Sequence, residues 1–242
     1  MSELRQLDGV FLKIGWTPLD KAGVIAVTLN GREKPALLRE AKRLGAKIFE
    51  LRMDRFPKLP DDQQIQKVRS YRKFGLPLIA TIRSKNEGGE RAVSERERLE
   101  LFHKILPSVD ALDLELASTR LTKILGPLAW RRGKCLILSF HDFKKMPPER
   151  KLAALIRKAK KRGADIVKIA VTPKKINDVA RLLLFTQRFR DDRLITIAMG
   201  RLGRSSRVLA PLFGSLLTYS FVGRSQAPGQ IPLRQLVQEL RK

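Results

Sequence analysis

From residue 24 onward, runs of aliphatic and β-branched residues alternate with stretches whose apolar positions recur every three to four residues, the spacing of one helix face. The runs cover 24–29, 47–54, 77–83, 111–116, 135–143, 165–171, 194–200 and 216–222, and predict eight strands. Between them, Leu37, Leu38, Ala41 and Leu44 form a helical period ending at Gly45. Leu152, Leu155, Ile156 and Ala159 form another ending at Gly163, and both glycines suit a left-handed helix stop. Ser94 followed three places on by Glu97 predicts a capping box opening the helix that carries Leu99, Leu101, Phe102, Ile105 and Leu106. Gly126-Pro127 predicts a kink or a break in the helix near 119–131.

Eight strand-then-helix units in 242 residues favour one closed (β/α)8 barrel, a TIM barrel, over an open doubly wound sheet. The expected organisation is a single domain over 1–242, with residues 1–20 as a cap in which 10–16 make a short strand or hairpin.

Polar positions inside the strands change this picture from scaffold to enzyme. In Asp-Ile-Val-Lys-Ile-Ala-Val (165–171), Ile166, Lys168 and Ala170 share one face and Val167, Ile169 and Val171 the other, so both look buried. A lysine on such a strand either snorkels to water or loses hydration, becomes easier to deprotonate and acts as a nucleophile. Other strands repeat the oddity. Glu50, Arg52 and Asp54 share a parity against Phe49, Leu51 and Met53; Asp113 and Glu115 alternate with leucines; Arg83 ends the third strand, and Ser139 and His141 share a face of the fifth. A charged face on several strands of a βα repeat is expected to look into the barrel, toward its C-terminal mouth. There the acids, Glu87 among them, and the bases can compensate one another. His141, followed by Asp142, is a candidate general acid or base, whereas His103 falls mid-helix. The glycine-rich turns at 87–90 and 200–207 could offer N–H groups to an anion.

Composition narrows the classes. Two histidines and one cysteine leave little for a transition-metal site and exclude an internal disulfide; the cations beside the carboxylates argue against a divalent site, so no metal and no cofactor is expected. No run approaches a membrane span or a signal-peptide core, which points to a cytoplasmic protein with no membrane partner. The net charge of +26 attracts anions, but the basic residues are dispersed, and the densest group, 157–162, reads as a helix solvent face. Three asparagines and one cysteine beside abundant Lys and Arg also fit a heat-adapted host. An amine, an imidazole and anion-binding arginines together predict imine chemistry on an anionic carbonyl compound, with the reaction left open.

A series of motifs runs along the strands in order: Glu50-Leu51-Arg52-Met53-Asp54, Thr81-Ile82-Arg83-Ser84-Lys85 with Glu87-Gly88-Gly89, Asp113-Leu114-Glu115, and Ser139-Phe140-His141-Asp142-Phe143. It continues through Val167-Lys168-Ile169-Ala170, Met199-Gly200 with Gly203 and Ser206-Arg207, and Ala227-Pro228-Gly229-Gln230. In these motifs the chain resembles the type I 3-dehydroquinate dehydratases, Schiff-base enzymes of the shikimate pathway of aromatic amino acid biosynthesis. The resemblance implies that Lys168 forms an iminium with 3-dehydroquinate, that His141 moves the protons of a syn elimination, and that Glu87 orients His141. It implies further that Arg207 holds the substrate carboxylate, that Glu50, Arg52 and Arg83 bind ring hydroxyls or support the site, and that Gln230 reaches in from the last loop. Met199 and Phe221 would wall the pocket, and residues 223–230 would form a lid. One departure lies in that lid, where Gln226 stands at a place at which the family commonly carries a small hydroxyl residue, with Ser225 one place earlier. The implied partner is the small anionic substrate, with no nucleic acid required, and homodimers occur in the family. Two rivals are a lysine-imine barrel of the class I aldolase kind and a basic, non-catalytic barrel that binds nucleic acid.

Overall fold

The computed structural model describes residues 12–19 and 23–241. Of the expected cap strand, Val10 and Phe11 lie outside the described residues. Its remainder forms a two-stranded antiparallel hairpin, β1 (Lys13–Ile14) and β2 (Thr17–Pro18).

The repeat then unfolds as β3 (Ile25–Leu29), α1 (Pro35–Leu44), β4 (Ile48–Arg52), α2 (Asp61–Arg72), β5 (Leu78–Thr81), α3 (Glu95–Ile105), β6 (Ala111–Glu115) and α4 (Thr119–Arg131). It continues with β7 (Cys135–Asp142), α5 (Glu149–Lys161), β8 (Ile166–Val171), α6 (Ile176–Arg188), β9 (Leu194–Ala198), α7 (Ser206–Leu209), β10 (Thr218–Phe221), β11 (Ile231–Pro232) and α8 (Leu233–Leu240). All nine strands from β3 to β11 pair in parallel in the order β11-β10-β3-β4-β5-β6-β7-β8-β9. The eight expected strands curl into the barrel and β11 is an addition at the edge of β10. Between β9 and β10 the curl is drawn together by Leu216 N–H donating to Leu194 O at 2.8 Å and Thr196 N–H donating to Ser215 Oγ at 3.1 Å.

Alternation along each strand separates two cores. The outward residues, among them Val27, Leu51, Leu114, Leu138, Val167 and Ile169, pack under the helices. The inward residues Ala26, Ile48, Ile79, Ala111, Ile137, Ile166 and Ile195 form an apolar floor, which Ile14 of the hairpin enters from below, fully buried. The hairpin therefore acts as a plug, and the polar chemistry is confined to the layers above that floor.

Helix signals were legible locally. Ser94 and Glu97 make both bonds of the capping box, and Gly45, at φ 113°, returns its N–H to Ala41 and Lys42 carbonyls to end α1. The expected break at Gly126-Pro127 does not occur, and α4 runs through both residues. Pro127 lies on the solvent side, where water can serve the carbonyl that the missing N–H leaves free. The second strand also stops earlier than expected, at Arg52, because Met53 to Arg55 tighten into a single 3₁₀ turn. Asp54 is thereby diverted from the barrel interior.

Candidate active site

Parallel register stacks the inward polar residues in layers. Thr28 lies beside Glu50, Thr81 beside Asp113, Glu115 beside Ser139, and Ser139 beside Lys168. His141 lies beside Ala170, so it stands on the same inner face as Ser139, one pleat repeat above the level of Lys168, roughly 6–7 Å along the strand. Ile197 of β9, Met199 just after it and Tyr219 of β10 also line the cavity.

Lys168 is 4% exposed, so it does not snorkel. Its Nζ donates to Asp113 Oδ2 at 2.9 Å and Glu50 Oε1 at 3.1 Å, and sits 4.2 Å from the centre of the Tyr219 ring. The expectation that burial would release its proton is overturned. Burial does push that way, but the carboxylates of Asp113 and Glu50 outweigh it and raise Lys168 above the ordinary lysine range. Asp113 in turn is held well below the carboxylate range: burial opposes ionisation, but Arg83 and Lys168 overcome it. Glu50 is fixed by Thr81 Oγ1 at 3.1 Å and Thr28 Oγ1 at 3.2 Å as well as by Lys168. The lysine is thus aimed by a hydrogen-bonded frame of two carboxylates, the kind of pairing that buried charges require.

That frame continues behind the cavity. Arg83 donates to Asp113 at 2.8 Å, Ser139 at 2.6 Å and Glu115 at 3.3 Å, and Glu115 is also gripped by Arg98 from α3. Arg98 was missed from sequence, since an arginine on an amphipathic helix carries no mark that it turns inward. Asp54 closes a bidentate pair with Arg52 at 2.8 and 2.9 Å and accepts N–H bonds from Arg83 and Glu90. It therefore ties two loops together without facing the cavity.

Glu87, carried on the 3₁₀ turn after β5, accepts the His141 backbone N–H at 3.0 Å and lies 2.9 Å from His141 Nδ1. With Glu87 accepting there, Nδ1 carries the proton and Nε2 is the free base. Burial, reinforced by the charges of Arg83 and Lys168, holds His141 well below the ordinary histidine value, so the ring is neutral. Burial pushes the Glu87 carboxyl up to about 7.

Lys168, His141, Glu87, Glu50, Arg52, Arg83, Arg207, Met199, Gln226 and Gln230 all line one cavity at the C-terminal mouth. Phe221 does not: the wall of β10 is made by Tyr219, two residues deeper on the same face, while Phe221 sits half-buried at the strand end. Arg55 and Thr28 line it as well, without having been singled out, as do Gly88 and Phe143 of the quoted motifs. Arg207 is distinctive because no carboxylate pairs with it among the described residues, and its buried Nε has no hydrogen-bond partner. Burial pushes it down to about 10, which marks a guanidinium poised for an anion.

The turn glycines do not present N–H groups to a ligand as expected. Gly88 and Gly89 donate to Lys85 and Ser84, and Gly200 and Gly203 donate to Pro228 and Gly200, so these groups are spent in closing the turns. Gly200 instead receives the last loop. Gly229, at φ 74°, lies so close that a Cβ there would come within 2.3 Å of the Gly200 carbonyl oxygen. Gln230 organises this loop: its Oε1 accepts from the N–H groups of Gln226 at 2.7 Å and Ala227 at 3.1 Å, and its Nε2 donates to Thr28 at 3.3 Å. Thr28 also touches Glu50, so the loop is wired to the lysine.

A parallel barrel whose mouth gathers a buried lysine, a neutral histidine and an unpaired arginine belongs to the barrel enzymes that keep their chemistry at the C-terminal face. The type I 3-dehydroquinase family model matches residues 25–242. The chain is 41% identical over 204 residues to the 3-dehydroquinate dehydratase of Methanocella arvoryzae, spanning 84% of this chain and 90% of that one. It is 39% identical over 219 residues to that of Aquifex aeolicus, at 90% and 97% coverage. The crystal structure of the Geobacillus kaustophilus 3-dehydroquinate dehydratase superposes with a TM-score of 0.86 at 30% identity, covering 96% of each chain. The chain belongs to the type I 3-dehydroquinase family of enzymes. Among the described residues no helix is long and apolar enough to cross a membrane.

Proposed function

We propose that this enzyme converts 3-dehydroquinate to 3-dehydroshikimate through an imine on Lys168. The observation that carries the reading is the register of β7 against β8, which places His141 one pleat repeat above the level of Lys168 on the same inner face. A ring carbon bonded to Nζ would then leave its neighbouring C–H beneath the imidazole.

In the resting enzyme Lys168 is an ammonium, and it must lose a proton before it can attack. The neutral imidazole of His141 is the base at hand, and the charged ring can then protonate the carbinolamine hydroxyl, which leaves as water and gives the iminium. The iminium draws electrons from the adjacent C–H bond. His141 takes that proton to form an enamine and returns it to the departing hydroxyl on the same face, releasing a second water. Hydrolysis of the conjugated iminium frees the enone and restores the ammonium. Glu87 orients the ring throughout, and Arg207 pairs with the substrate carboxylate. Glu50, Arg52 and Arg83 meet ring hydroxyls or brace those that do, Met199 walls the site, and the loop with Gln226 and Gln230 covers it.

The test is borohydride reduction in the presence of 3-dehydroquinate, with mass spectrometry of the peptide holding residue 168. A reduced adduct on Lys168, together with the rising absorbance of the enone in unreduced samples, is expected. Absence of the adduct sinks the imine, and adduct without enone favours a C–C bond-cleaving imine enzyme.

A further inference from the structure

A second cavity, of about 180 Å³, lies beside the substrate cavity and shares Arg55 and Gln226 with it as a common wall. The rest of its lining is Asn30 and Arg32 from the loop after β3, Glu90, and Arg224 and Ser225 from the covering loop. Three guanidiniums therefore face one carboxylate. The walls are also rich in unspent donors. Arg55 Nη1 is 3.1 Å from Glu90, but its Nε is buried without a hydrogen-bond partner. Asn30 spends its carboxamide oxygen on the Arg32 N–H, at 3.1 Å, which leaves its NH₂ group. Arg32 Nη1 donates to the Arg55 backbone carbonyl at 3.0 Å, so the Arg32 guanidinium is braced on the turn that carries Arg55. Burial and the nearby charge of Arg52 lower Arg55, the cost of holding a cation where no anion compensates it fully.

From this geometry we infer that the cavity is an anion site that binds a phosphate group and, by joining Arg224 to Arg32 and Arg55, pins the covering loop to the barrel. Guanidinium forks pair with carboxylate and phosphate alike, but three of them on one cavity offer more donors than a carboxylate's two oxygens can accept. The space admits a tetrahedral oxyanion with attached water. Gln226 stands in the partition between the two cavities and donates from Nε2 to the Arg224 carbonyl at 2.8 Å, which ties the loop's conformation to both.

Binding is read without substrate, so the site stands or falls independently of the imine chemistry. Titrations with inorganic phosphate and, separately, glycerol 3-phosphate, followed by calorimetry at constant ionic strength, should saturate with one equivalent on the intact protein. Affinity should fall at least tenfold in the Arg32→Ala/Arg224→Ala double variant and stay unchanged in Arg157→Ala/Lys161→Ala, which removes the same charge from the exposed face of α5. Tighter binding of the free ion or of the monoester then tells which is the ligand. In the wild type, trypsin cleavage after Arg224 should slow in phosphate. Failure to saturate, equal weakening in both double variants, or affinity retained by Arg32→Ala/Arg224→Ala overturns the site; so does loss only in Arg207→Ala, which would place the anion in the substrate cavity.

Discussion

Replacing Glu87 by Gln should change how stability depends on pH, by an amount the structure sets. The Glu87 carboxyl is pushed from its ordinary 4.5 up to about 7 by burial, and its side chain is only 12% exposed, so solvent screens it little. The folded protein then holds a proton that the unfolded chain has released between those two values. Stability must fall as pH climbs through that window. A gap of about 2.5 pH units at about 1.36 kcal/mol each corresponds to about 3 kcal/mol. An amide oxygen can still accept the His141 N–H groups, so Glu87→Gln keeps the contact while deleting the titration. Urea unfolding at pH 4.5 and pH 8 should show the wild type losing about 3 kcal/mol more than the variant across the interval. The limb of the kcat/KM profile near pH 7, which belongs to the Glu87–His141 pair, should move away in the variant. Parallel stability curves for the two proteins would refute the buried, proton-holding carboxyl.

His141→Ala should leave the borohydride-trapped adduct on Lys168 intact while turnover drops about 10²–10⁴-fold, measured by enone absorbance; undiminished turnover removes the imidazole from the mechanism. Gly229→Ala puts a methyl against the Gly200 carbonyl at a left-handed φ. It should raise KM and speed proteolysis of the covering loop, with little change in the melting midpoint. Ile14→Ala withdraws the plug from the barrel floor and should cost about 2–5 kcal/mol in urea unfolding without altering KM. Lys168→Ala should abolish adduct and turnover together, and strand the buried carboxylates of Glu50 and Asp113 at a cost of about 3–5 kcal/mol.

What the chain determines unaided is whatever depends on spacing. Period two against period three to four located the strands of the barrel, and parity within each strand said which side chains look inward, because the pleat admits no alternative. That is why Glu50, Arg52, His141 and Lys168 could be named as neighbours before any coordinate, and why Ile14's stretch read as a cap. Residues outside strands were harder. Asp54 left the interior when the chain tightened after Arg52, Phe221 ended one pleat repeat too high, and Arg98 entered from a helix, since turns and helix faces carry no strict parity. The charge state of Lys168 was decided only in three dimensions. Its proton is held by Asp113 and Glu50, 55 and 118 residues away along the chain, and electrostatic energy depends on distance in space. The meeting of Arg32, Arg55 and Arg224 has the same origin: residues from separate loops become one site only when the barrel closes and brings its loops to a common mouth.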